Sequence, residues 1–595
     1  MMLNKILLKG KITERFVVYF SLAIFFLISF TYFYWIDNSI FFYQEYKSLF
    51  IFSSEYLQRF AIKPGGLLEY AGNFLTQGYY NSSYGSLIVS SMLILLYIVL
   101  IKINKQLSAD GSFSLLIILL PSCLLLLSQK QFDHFMHYNL GFLLVTLYFL
   151  FSVFSKVKRL RLIILVLFPV FFYVVGSFAW IYLGMYIMYI IIYTKRKLRY
   201  FLTVFLSVIV LLTFIVFKEV LFLQPIDHLL LYPLPIPHIS LFPAFFYILC
   251  GYLILFPLSV KASGLIKVHK ILAEIIPIVT IMTFFSITVF LLLKQDDPGS
   301  ANLIHLEKSV CEQNWDAIIR QHESSPSTDA IEQCYYNLAL SNKGQLCDRL
   351  FFGRQDFGAE SLSLLCDNEH INRSIYFYYT IGLISEVHHL AYESMVRYGY
   401  RPENIKLLIK TELINGNYKI AERYFNILKK TFHYRSWAKN NEKMLYNPAL
   451  INSDPELGEK IRLLPKKDFF VRSNDVQNIE LILMANPDNK RAFEYKIARL
   501  LLEKDLGAVV NEVKKMKRMG YNYIPRHIEE AVVEFINLNK EIPDLGGLTI
   551  SPETELRFIQ YLTTYNLNNG ENKSGIEKEM TKAGRNTFWY YLQFK

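Results

Sequence analysis

The sequence lacks the short motifs by which several classes of enzyme are identified. It contains no Walker lysine motif, no glycine pattern of dinucleotide-binding folds, no His-Glu-x-x-His and no Gly-x-Ser-x-Gly. None of its 6 cysteines forms a Cys-x-x-Cys pair, which argues against a zinc site and against thioredoxin-like redox chemistry. These absences exclude several familiar reactions and direct attention to how polar and apolar residues are distributed.

Charged residues are almost absent from a series of apolar segments in the first 293 residues. A helix needs roughly 17 to 25 apolar residues to cross a hydrocarbon core of ~30 Å, and shorter helices occur inside bundles. Because proton and ion paths need ionisable groups within the membrane, the lack of charge also argues against an ion-coupled transporter. The sequence therefore predicts an all-α fold whose first domain, 1–293, is a bundle of about nine spans: 16–35, 86–101, 112–128, 139–154, 162–176, 178–193, 201–217, 241–260 and 272–293.

The basic residues of this half predict its orientation. Residues 1–293 contain 22 Lys and Arg against 10 Asp and Glu, and 17 of the 22 fall in loops on one side if the N-terminus is cytoplasmic. The first apolar run is long and no small-x-small cleavage site follows it, so we expect an uncleaved anchor. An odd number of spans then places residues 294–595 in the periplasm of a bacterium, with the bundle in its inner (plasma) membrane.

The second half, 294–595, has the apolar periodicity of helices and contains an internal repeat. The segment Gly416–Phe425 resembles the turn and second helix of a tetratricopeptide repeat. Gly382 lies 34 residues earlier, the period of that family, and places Val387 and Ala391 in register with Ala421 and Phe425. We expect a soluble α-solenoid of four to six helix pairs, with 445–475, which contains three prolines, as a long surface connection.

Two features of this half have alternative interpretations. Its four cysteines, Cys311, Cys334, Cys347 and Cys366, could form disulfides in three pairings or could be small buried hydrophobic residues. Aromatic residues could line a concave binding groove for envelope proteins or could belong to the core: Tyr376, Tyr378, Tyr379, Tyr392, Tyr398 and Tyr400. The basic run 514–518 is too short to indicate nucleic acid and reads as a solvated helix face.

The leading candidate for chemistry is the first predicted outside loop, 36–85. It mixes charged and aromatic residues, a composition typical of amphipathic helices at the bilayer surface. Pro64 and the two following glycines can end one helix and begin another, which would align Glu69, Asn73 and Gln77 on one face. Such a stripe could bind a sugar or a phosphate-bridging cation, or it could be the wet face of an interfacial helix.

Several segments resemble an uncharacterised family of bacterial polytopic membrane proteins. They are Pro64–Tyr70 with Asn73 and Gln77, Asn337–Leu340 with Gly344–Leu346, Ala492–Tyr495 and Thr587–Tyr591. The resemblance covers nearly the whole chain and implies an architecture without an activity.

A looser likeness is to the C-type membrane glycosyltransferases, which use polyprenyl-phosphate sugars. That likeness implies a catalytic base in the first outside loop, with Asp37 as the first candidate and Glu45 and Glu69 next. Arg59 and Lys63 would bind the lipid phosphate, Asn73 and Gln77 would contact substrate, and a divalent cation is the cofactor it allows. The loop departs from the family because it has no Asp-x-Asp, Asp-Glu or Glu-Asp pair.

Another polar cluster lies between the third and fourth predicted spans. Asp133, His134 and His137 could bind a metal, but such clusters are more often hydrogen-bonded at the membrane surface, so no metal site is predicted. Two functions follow from the sequence. One is a lipid-linked-sugar transferase at the outer face of the membrane, and the other is a non-enzymatic anchor whose repeat domain binds envelope proteins.

Overall fold

The computed structural model describes residues 2–47, 49–107, 114–154, 158–222, 225–235, 244–265, 270–294, 297–364, 371–568 and 573–595. All regular elements within these ranges are helices, and no strand occurs in them, which confirms the all-α prediction. The chain forms two compact units. The first comprises Met1–Ala301 and Lys430–His433, and the second comprises Asn302–Lys429 and Tyr434–Lys595.

The first unit is built of apolar helices joined by short polar segments. The helices are α1 (Met2–Thr31), α2 (Ser39–Lys47), α3 (Ser54–Ala61), α4 (Gly66–Leu75), α5 (Ser82–Leu107), α6 (Ser114–Gln129), α7 (Met136–Phe154), α8 (Lys158–Val166), α9 (Phe168–Val175), α10 (Phe178–Tyr193), α11 (Arg196–Val216), α12 (Ile226–Leu231), α13 (Ala244–Leu265) and α14 (Lys270–Lys294).

Several of these helices are long and apolar enough to cross a membrane, which indicates a membrane protein. Five such segments occur within the described ranges: Phe16–Ile36, Ser82–Leu107, Met136–Phe154, Arg196–Leu221 and Ala244–Gly264. The bent pair Ile278–Lys294 and Pro298–Cys311 would be a sixth if it counts as one span, and Leu115–Gln129 and Phe178–Tyr193 are apolar but shorter. The count of nine spans stays a prediction.

One predicted span is interrupted. Residues 162–176 form the end of α8 and the whole of α9, which are separated at Leu167. Pro169 is near the start of α9, where its missing N–H costs no helical hydrogen bond, so the chain can begin a new helix there. Gly176 then ends α9 in a left-handed conformation with φ +61°.

The second unit is a succession of short helices. They are α15 (Pro298–Cys311, which begins in the first unit), α16 (Trp315–Ser324), α17 (Ala330–Lys343), α18 (Leu346–Arg349), α19 (Ile371–Ile381), α20 (Ile384–Tyr398), α21 (Pro402–Ile414), α22 (Tyr418–Lys429), α23 (Arg435–Asn441), α24 (Pro448–Ser453), α25 (Pro455–Leu463), α26 (Asp475–Ala485), α27 (Lys490–Leu502), α28 (Leu506–Met516), α29 (Arg526–Asn539), α30 (Pro552–Leu567), α31 (Lys573–Gly584) and α32 (Phe588–Phe594).

One kind of turn recurs between successive helices of this unit. A residue with left-handed backbone geometry ends the helix, and the N–H of the next residue donates to the carbonyl five positions earlier, at 2.8 to 3.0 Å. This is the Schellman arrangement, which satisfies carbonyls that the end of a helix would leave open. The left-handed residue is Gln313 after α15, Gly344 after α17, Gly382 after α19, Gly416 after α21 and Lys504 after α27.

The turns at Gly382 and Gly416 show the 34-residue spacing read from the sequence. Helices α20 and α22 each begin two residues after the glycine. Val387 and Ala391 on α20 are fully buried, and so are Ala421 and Phe425, their counterparts on α22. The two copies therefore place equivalent residues in the core of the unit.

Alanine in place of either glycine tests how these turns are stabilised. Gly416→Ala is expected to lower the free energy of unfolding by about 1 kcal/mol, because φ is +76° while no atom lies within 4 Å of the added methyl. Gly382→Ala is expected to cost about 3 kcal/mol, since its methyl would also stand 2.5 Å from Cβ of Leu463. Denaturant unfolding of both variants measures the difference, and equal losses would contradict the packing at Gly382.

The C-terminal helix α32 is fastened to α29 by one buried carboxylate. Oε2 of Glu530 accepts hydrogen bonds from Nδ1 of His527 at 2.9 Å and from the N–H of Phe588 at 2.8 Å. Nε1 of Trp589 donates to the main-chain oxygen of Glu530 at 2.8 Å. Nε2 of His527 accepts the N–H of Phe351 at 3.3 Å, which assigns the ring proton to Nδ1. The segment 587–591 therefore holds the C-terminal helix of the unit against α29.

The cysteines of this unit that the structure describes are not paired. Cys311, Cys334 and Cys347 are free thiols, and Cys366 lies outside the described residues. Cys334 and Cys347 are buried, while Cys311 is half-buried with its sulfur 3.3 Å from the hydroxyl of Tyr376. The three described thiols therefore fit the interpretation as small packing residues.

The prediction that 445–475 is a long surface connection was wrong for residues 448–463, which form two helices. Pro448 and Pro455 stand at the starts of α24 and α25, and the side chains of Asn447 and Asp454 cap these helices by accepting main-chain N–H groups. An Asn-Pro or Asp-Pro pair is a helix start signal as well as a breaker, because proline suits the first helical position. Helix α25 packs on α19 and α21.

Candidate functional site

The loop 36–85 of the first unit folds into three short helices and a 3-10 turn. Ser53 caps α3 by accepting the N–H of Tyr56 at 3.1 Å, and the chain leaves α3 at Ala61. Gly65, with φ +82°, then redirects the chain into α4. The break expected at Pro64 and the glycine pair is confirmed.

Two of the three predicted catalytic carboxylates are buried within protein. The side chain of Asp37 accepts a hydrogen bond from the hydroxyl of Ser39 at 3.1 Å, and the residue is 5% exposed. Glu45 on α2 is 3% exposed. Neither carboxylate is open to solvent in this structure, and the assignment of Asp37 and Glu45 as catalytic groups stays a prediction.

The third carboxylate, Glu69, lies in a compact polar cluster. Nζ of Lys63 is 3.4 Å from Oε2 of Glu69, and the hydroxyl of Tyr232 donates to the same oxygen. Nζ of Lys63 also stands 3.8 Å from the centre of the Tyr232 ring. The side chains of Lys63 and Glu69 remain 31% and 28% exposed, so this cluster is accessible to solutes. We call Lys63, Glu69 and Tyr232 the Glu69 cluster.

The position of Tyr232 depends on two glycines that approach each other closely. A methyl on Gly176 would stand 2.6 Å from the main-chain oxygen of Tyr232 and 3.0 Å from Cα of Gly65. The N–H of Gly65 donates to the oxygen of Tyr173 at 2.9 Å, and the N–H of Ser177 donates to the oxygen of Tyr232 at 3.0 Å. The close approach of these two glycines to each other and to the Tyr232–Pro233 segment therefore positions Tyr232 beside Glu69.

The remaining predicted substrate-binding residues do not join this cluster as one stripe. Asn73 follows Glu69 on α4, and its Nδ2 lies 3.5 Å from the hydroxyl of Tyr56. Gln77 is buried in the 3-10 turn beyond the end of α4, where its Nε2 donates to the oxygen of Asn73 at 3.3 Å. Arg59 is exposed on α3. Lys63 is in direct contact with Glu69, one of the candidate catalytic groups.

The polar residues between the end of α6 and the first turn of α7 form a hydrogen-bonded network. Nε2 of His134 is 2.9 Å from Oδ1 of Asn139, and Nδ2 of Asn139 donates to Oε1 of Gln129 at 2.5 Å. His137 packs on Tyr138 with ring centres 4.2 Å apart. No group of three or more His, Cys, Asp or Glu side chains within the described residues could hold a metal ion.

The second unit contains a polar groove that the sequence did not locate. Two adjoining cavities, of about 280 and 260 Å³, share one wall formed by α21 and α25 and by the turn after α15. Trp437 lines the first cavity, and Tyr376 and Tyr379 line the second. Residues common to both cavities are Cys311, Gln313, Glu403, Lys406, Lys410 and Glu456. We refer to the two cavities together as the groove.

Glu456 organises the centre of the groove. Its Oε1 accepts hydrogen bonds from Lys410 at 2.6 Å, Tyr379 at 2.7 Å and Gln313 at 2.9 Å. Burial alone would raise the pKa of this carboxyl, but the charge and hydrogen bond of Lys410 outweigh it, so the pKa lies below its ordinary value. Glu456 is therefore ionised and ties three elements together at the floor of the groove.

Two lysine side chains lie near the ring of Tyr379. Nζ of Lys460 lies 5.1 Å from the ring centre and Nζ of Lys410 lies 5.8 Å from it. Lys460 is 2% exposed, and burial lowers its pKa to about 8. Of the tyrosines proposed from sequence, Tyr376 and Tyr379 line the groove, whereas Tyr378 is buried and donates to Asp475 at 2.7 Å.

The sequence missed Glu456, Glu459 and Lys460 because they lie in the segment predicted to be a surface connection. The signal that could have located them is the pair Asp454-Pro455, which caps and begins α25. On that helix, Glu456, Glu459 and Lys460 recur at spacings of three and four, which place them on one face. The spacing of these three residues could have been found in the sequence. The residues that contact them across the groove could not, because they are distant in sequence.

Comparison with known proteins identifies a family but no activity. A model of a protein family of unknown function matches residues 14–595. No curated protein and no solved structure matches the chain.

Proposed function

The chain belongs to DUF6057, a family of unknown function, and we propose that it is a membrane-anchored binding protein of the bacterial envelope. Its helical domain would hold an extended segment of another envelope protein in the groove. On this proposal the first unit serves as the anchor and the second recognises the partner.

The composition of the groove supports this proposal. Aromatic rings and ionised groups of both signs line its walls. Lys406 pairs with Glu403 on the same helix, α21, and Lys410 of α21 pairs with Glu456 of α25, each at 2.6 Å. An extended polypeptide presents alternating side chains together with main-chain donors and acceptors. These groups can form hydrogen bonds with the charged side chains of the groove in place of the ion pairs. Stacked helix pairs in general leave such a continuous surface, and the 34-residue spacing of Gly382 and Gly416 favours the tetratricopeptide-like interpretation.

The proposal includes a topology. With nine spans in the inner membrane and a cytoplasmic N-terminus, the helical domain would lie in the periplasm, where its partners would be envelope proteins. A periplasm-specific reporter fused after Lys595 is expected to be active, and a cytoplasm-specific reporter at the same position is expected to be silent. The reverse result would reject this orientation.

Site-specific photocrosslinking in intact membranes tests the binding proposal. A photoreactive phenylalanine analogue at Trp437, in the groove, is expected to crosslink one defined polypeptide, identified by mass spectrometry of the joined peptides. The same analogue at Phe470, which is 87% exposed and outside the groove, serves as the matched control. Lys410→Glu should abolish the crosslink by placing a second carboxylate beside Glu456. Equal products at both positions, or products unchanged by Lys410→Glu, would reject the groove as the binding site.

The Glu69 cluster supports a second candidate, a lipid-linked-sugar transferase. It brings a carboxylate, an ammonium and a phenol into contact on a partly exposed surface, as Glu69, Lys63 and Tyr232. Such a set could accept a proton from an acceptor hydroxyl at Glu69 and hold a lipid phosphate at Lys63. Asp37, Glu45 and Arg59 would then be supporting residues of the same loop.

Envelope glycan analysis of single variants distinguishes the two candidates. If the chain is a transferase, Glu69→Gln should lower the amount of glycan product at least about a hundredfold, as expected for removal of a general base. Glu55→Gln, an exposed carboxylate on α3, is the control. Unchanged glycans in Glu69→Gln, Asp37→Asn and Glu45→Gln strains with normal protein amounts would reject the transferase and leave the binding proposal intact.

A further inference from the structure

Lys460 differs from the other lysines of the groove in the acceptors that its ammonium contacts. Its nearest acceptors are the oxygen of Thr380 at 3.5 Å and Oε2 of Glu459 at 3.7 Å. An ammonium has three N–H donors, and neither of these distances is that of a strong charge-assisted hydrogen bond. The side chain is nevertheless 2% exposed, so bulk water does not replace the missing acceptors.

The neighbouring ion pairs explain why Glu459 does not satisfy Lys460. Oε1 of Glu459 accepts Nε of Arg491 at 3.0 Å, and the same guanidinium donates to the oxygen of Asn342 at 3.2 Å. Glu459 is thus held toward α27 and away from Lys460. By contrast, Lys406 and Lys410 each have a carboxylate oxygen at 2.6 Å. Among the described lysines of the groove, Lys460 therefore has the longest distance to a carboxylate oxygen, 3.7 Å.

The surroundings of Lys460 form a site open to a ligand. The side chain lines the cavity of about 260 Å³, together with Tyr376, Tyr379 and Trp315. That volume accommodates a small acidic group and its aliphatic stem. Buried charges in proteins are paired, because an isolated ammonium in a low dielectric is costly. The lowered pKa of Lys460, about 8, is the expected mark of an ammonium with too few partners.

We propose that Lys460 is the anchoring residue for a carboxylate of the polypeptide bound in the groove. The carboxylate is that of an Asp or Glu side chain or of a free C-terminus, received by the Lys460 ammonium between Tyr376 and Tyr379. This inference rests on the proposed binding function and adds the chemical class of the group that the groove selects.

The charge of the cavity favours a carboxylate over a phosphate. Its walls carry three carboxylates, Glu403, Glu456 and Glu459, and three ammonium groups, Lys406, Lys410 and Lys460. The lysines at 406 and 410 are already paired, so one negative charge balances the remaining ammonium. A phosphate monoester carries about −1.5 to −2 charges at neutral pH and would face the three carboxylates with an excess.

Calorimetric titration of the full-length protein in detergent tests the inference. The probes are an acetylated, amidated nonapeptide of alanine and serine with one central glutamate, its glutamine counterpart, the glutamine peptide with a free C-terminus, and inorganic phosphate. Both carboxylate peptides are expected to bind at least about tenfold more tightly than the neutral peptide, the gain of one charge-assisted hydrogen bond. Lys460→Met should remove this advantage.

Two further variants distinguish a specific loss of binding in Lys460→Met from a folding defect. Glu459→Gln removes the nearest competing carboxylate, so it should increase the advantage of the carboxylate peptides, an effect opposite in sign to that of Lys460→Met. Lys466→Met alters an exposed lysine paired with Asp488 at 2.9 Å and should leave all affinities unchanged.

The outcomes separate this inference from the proposed function. Equal binding of charged and neutral peptides, or an advantage that survives Lys460→Met, would overturn the role of Lys460 while leaving the groove as a peptide site. Phosphate binding without carboxylate binding would overturn the assignment of the ligand. Failure of every peptide to bind, in a protein whose groove still crosslinks a partner from Trp437, would overturn the carboxylate inference alone.

Discussion

Gly176→Ala is expected to destabilise the first unit by about 4 kcal/mol. The added Cβ would meet the oxygen of Tyr232 at 2.6 Å and Cδ of Pro233 at 2.8 Å, in a backbone conformation with φ +61°. Left-handed strain and overpacking each contribute roughly 1 to 3 kcal/mol. Relief requires that the 225–235 segment move away, which separates Tyr232 from Glu69.

Heating of the detergent-solubilised protein, followed by size-exclusion chromatography, measures this loss as a lower temperature of aggregation. Gly251→Ala on α13 is the matched control, because no atom lies within 4 Å of its added methyl. The helix propensity of alanine should leave that variant equal to or slightly more stable than the parent. A Gly176→Ala protein as stable as Gly251→Ala would disprove the close packing of Gly176 on Tyr232.

Glu530→Ala is expected to cost the second unit about 4 kcal/mol of unfolding free energy. The substitution leaves His527, the Phe588 N–H and Arg526 without their common acceptor in a fully buried place. Removal of one partner from a buried ionic network typically costs 3 to 5 kcal/mol. Unfolding by urea, followed through tryptophan fluorescence, should show the loss and an early release of α32, which contains Trp589.

The control for this substitution is Glu503→Ala on the same unit. Glu503 forms a pair with Arg499 at 3.1 Å and is 41% exposed, so its loss should cost under about 1 kcal/mol. Similar losses for both variants would contradict the central role of Glu530.

The pH dependence of Glu530 has a defined sign. Burial raises the pKa of this carboxyl, but its interactions with His527, with the N–H of Phe588 and with Arg526 outweigh burial, so the pKa lies below its ordinary value. A carboxyl with a lowered folded pKa contributes stability above its unfolded pKa, about 4.3, and loses it as the pH falls through the folded value. Glu530→Gln should therefore show a shallower loss of stability in acid than the parent.

The apolar periodicity was sufficient to predict the all-α fold and several helices of both units. Length and composition located segments such as 86–101 and 139–154, which lie inside α5 and α7. The glycine spacing located the turns at Gly382 and Gly416, because a left-handed residue in a Schellman turn is most easily glycine. Local chemistry thus determined local structure where one residue type was strongly preferred.

The candidate sites were harder to predict because they depend on contacts distant in sequence. Glu69 meets Tyr232, which is 163 positions away, and Glu456 meets Gln313, which is 143 positions away. Periodicity does not encode such pairs. The expected stripe of Glu69, Asn73 and Gln77 failed at Gln77, since α4 ends at Leu75 and the following turn faces the interior.

The turns that end α15, α17, α19, α21 and α27 have a mechanical consequence. Each is closed by its own short hydrogen bonds, so the direction in which the chain leaves a helix is set within a few residues. A small change in the angle of one turn would displace every helix that follows it in the chain. Gln313 and Lys504 hold left-handed geometry without being glycine, so the direction of the chain at these two turns is kept at a higher conformational cost than at the three glycine turns.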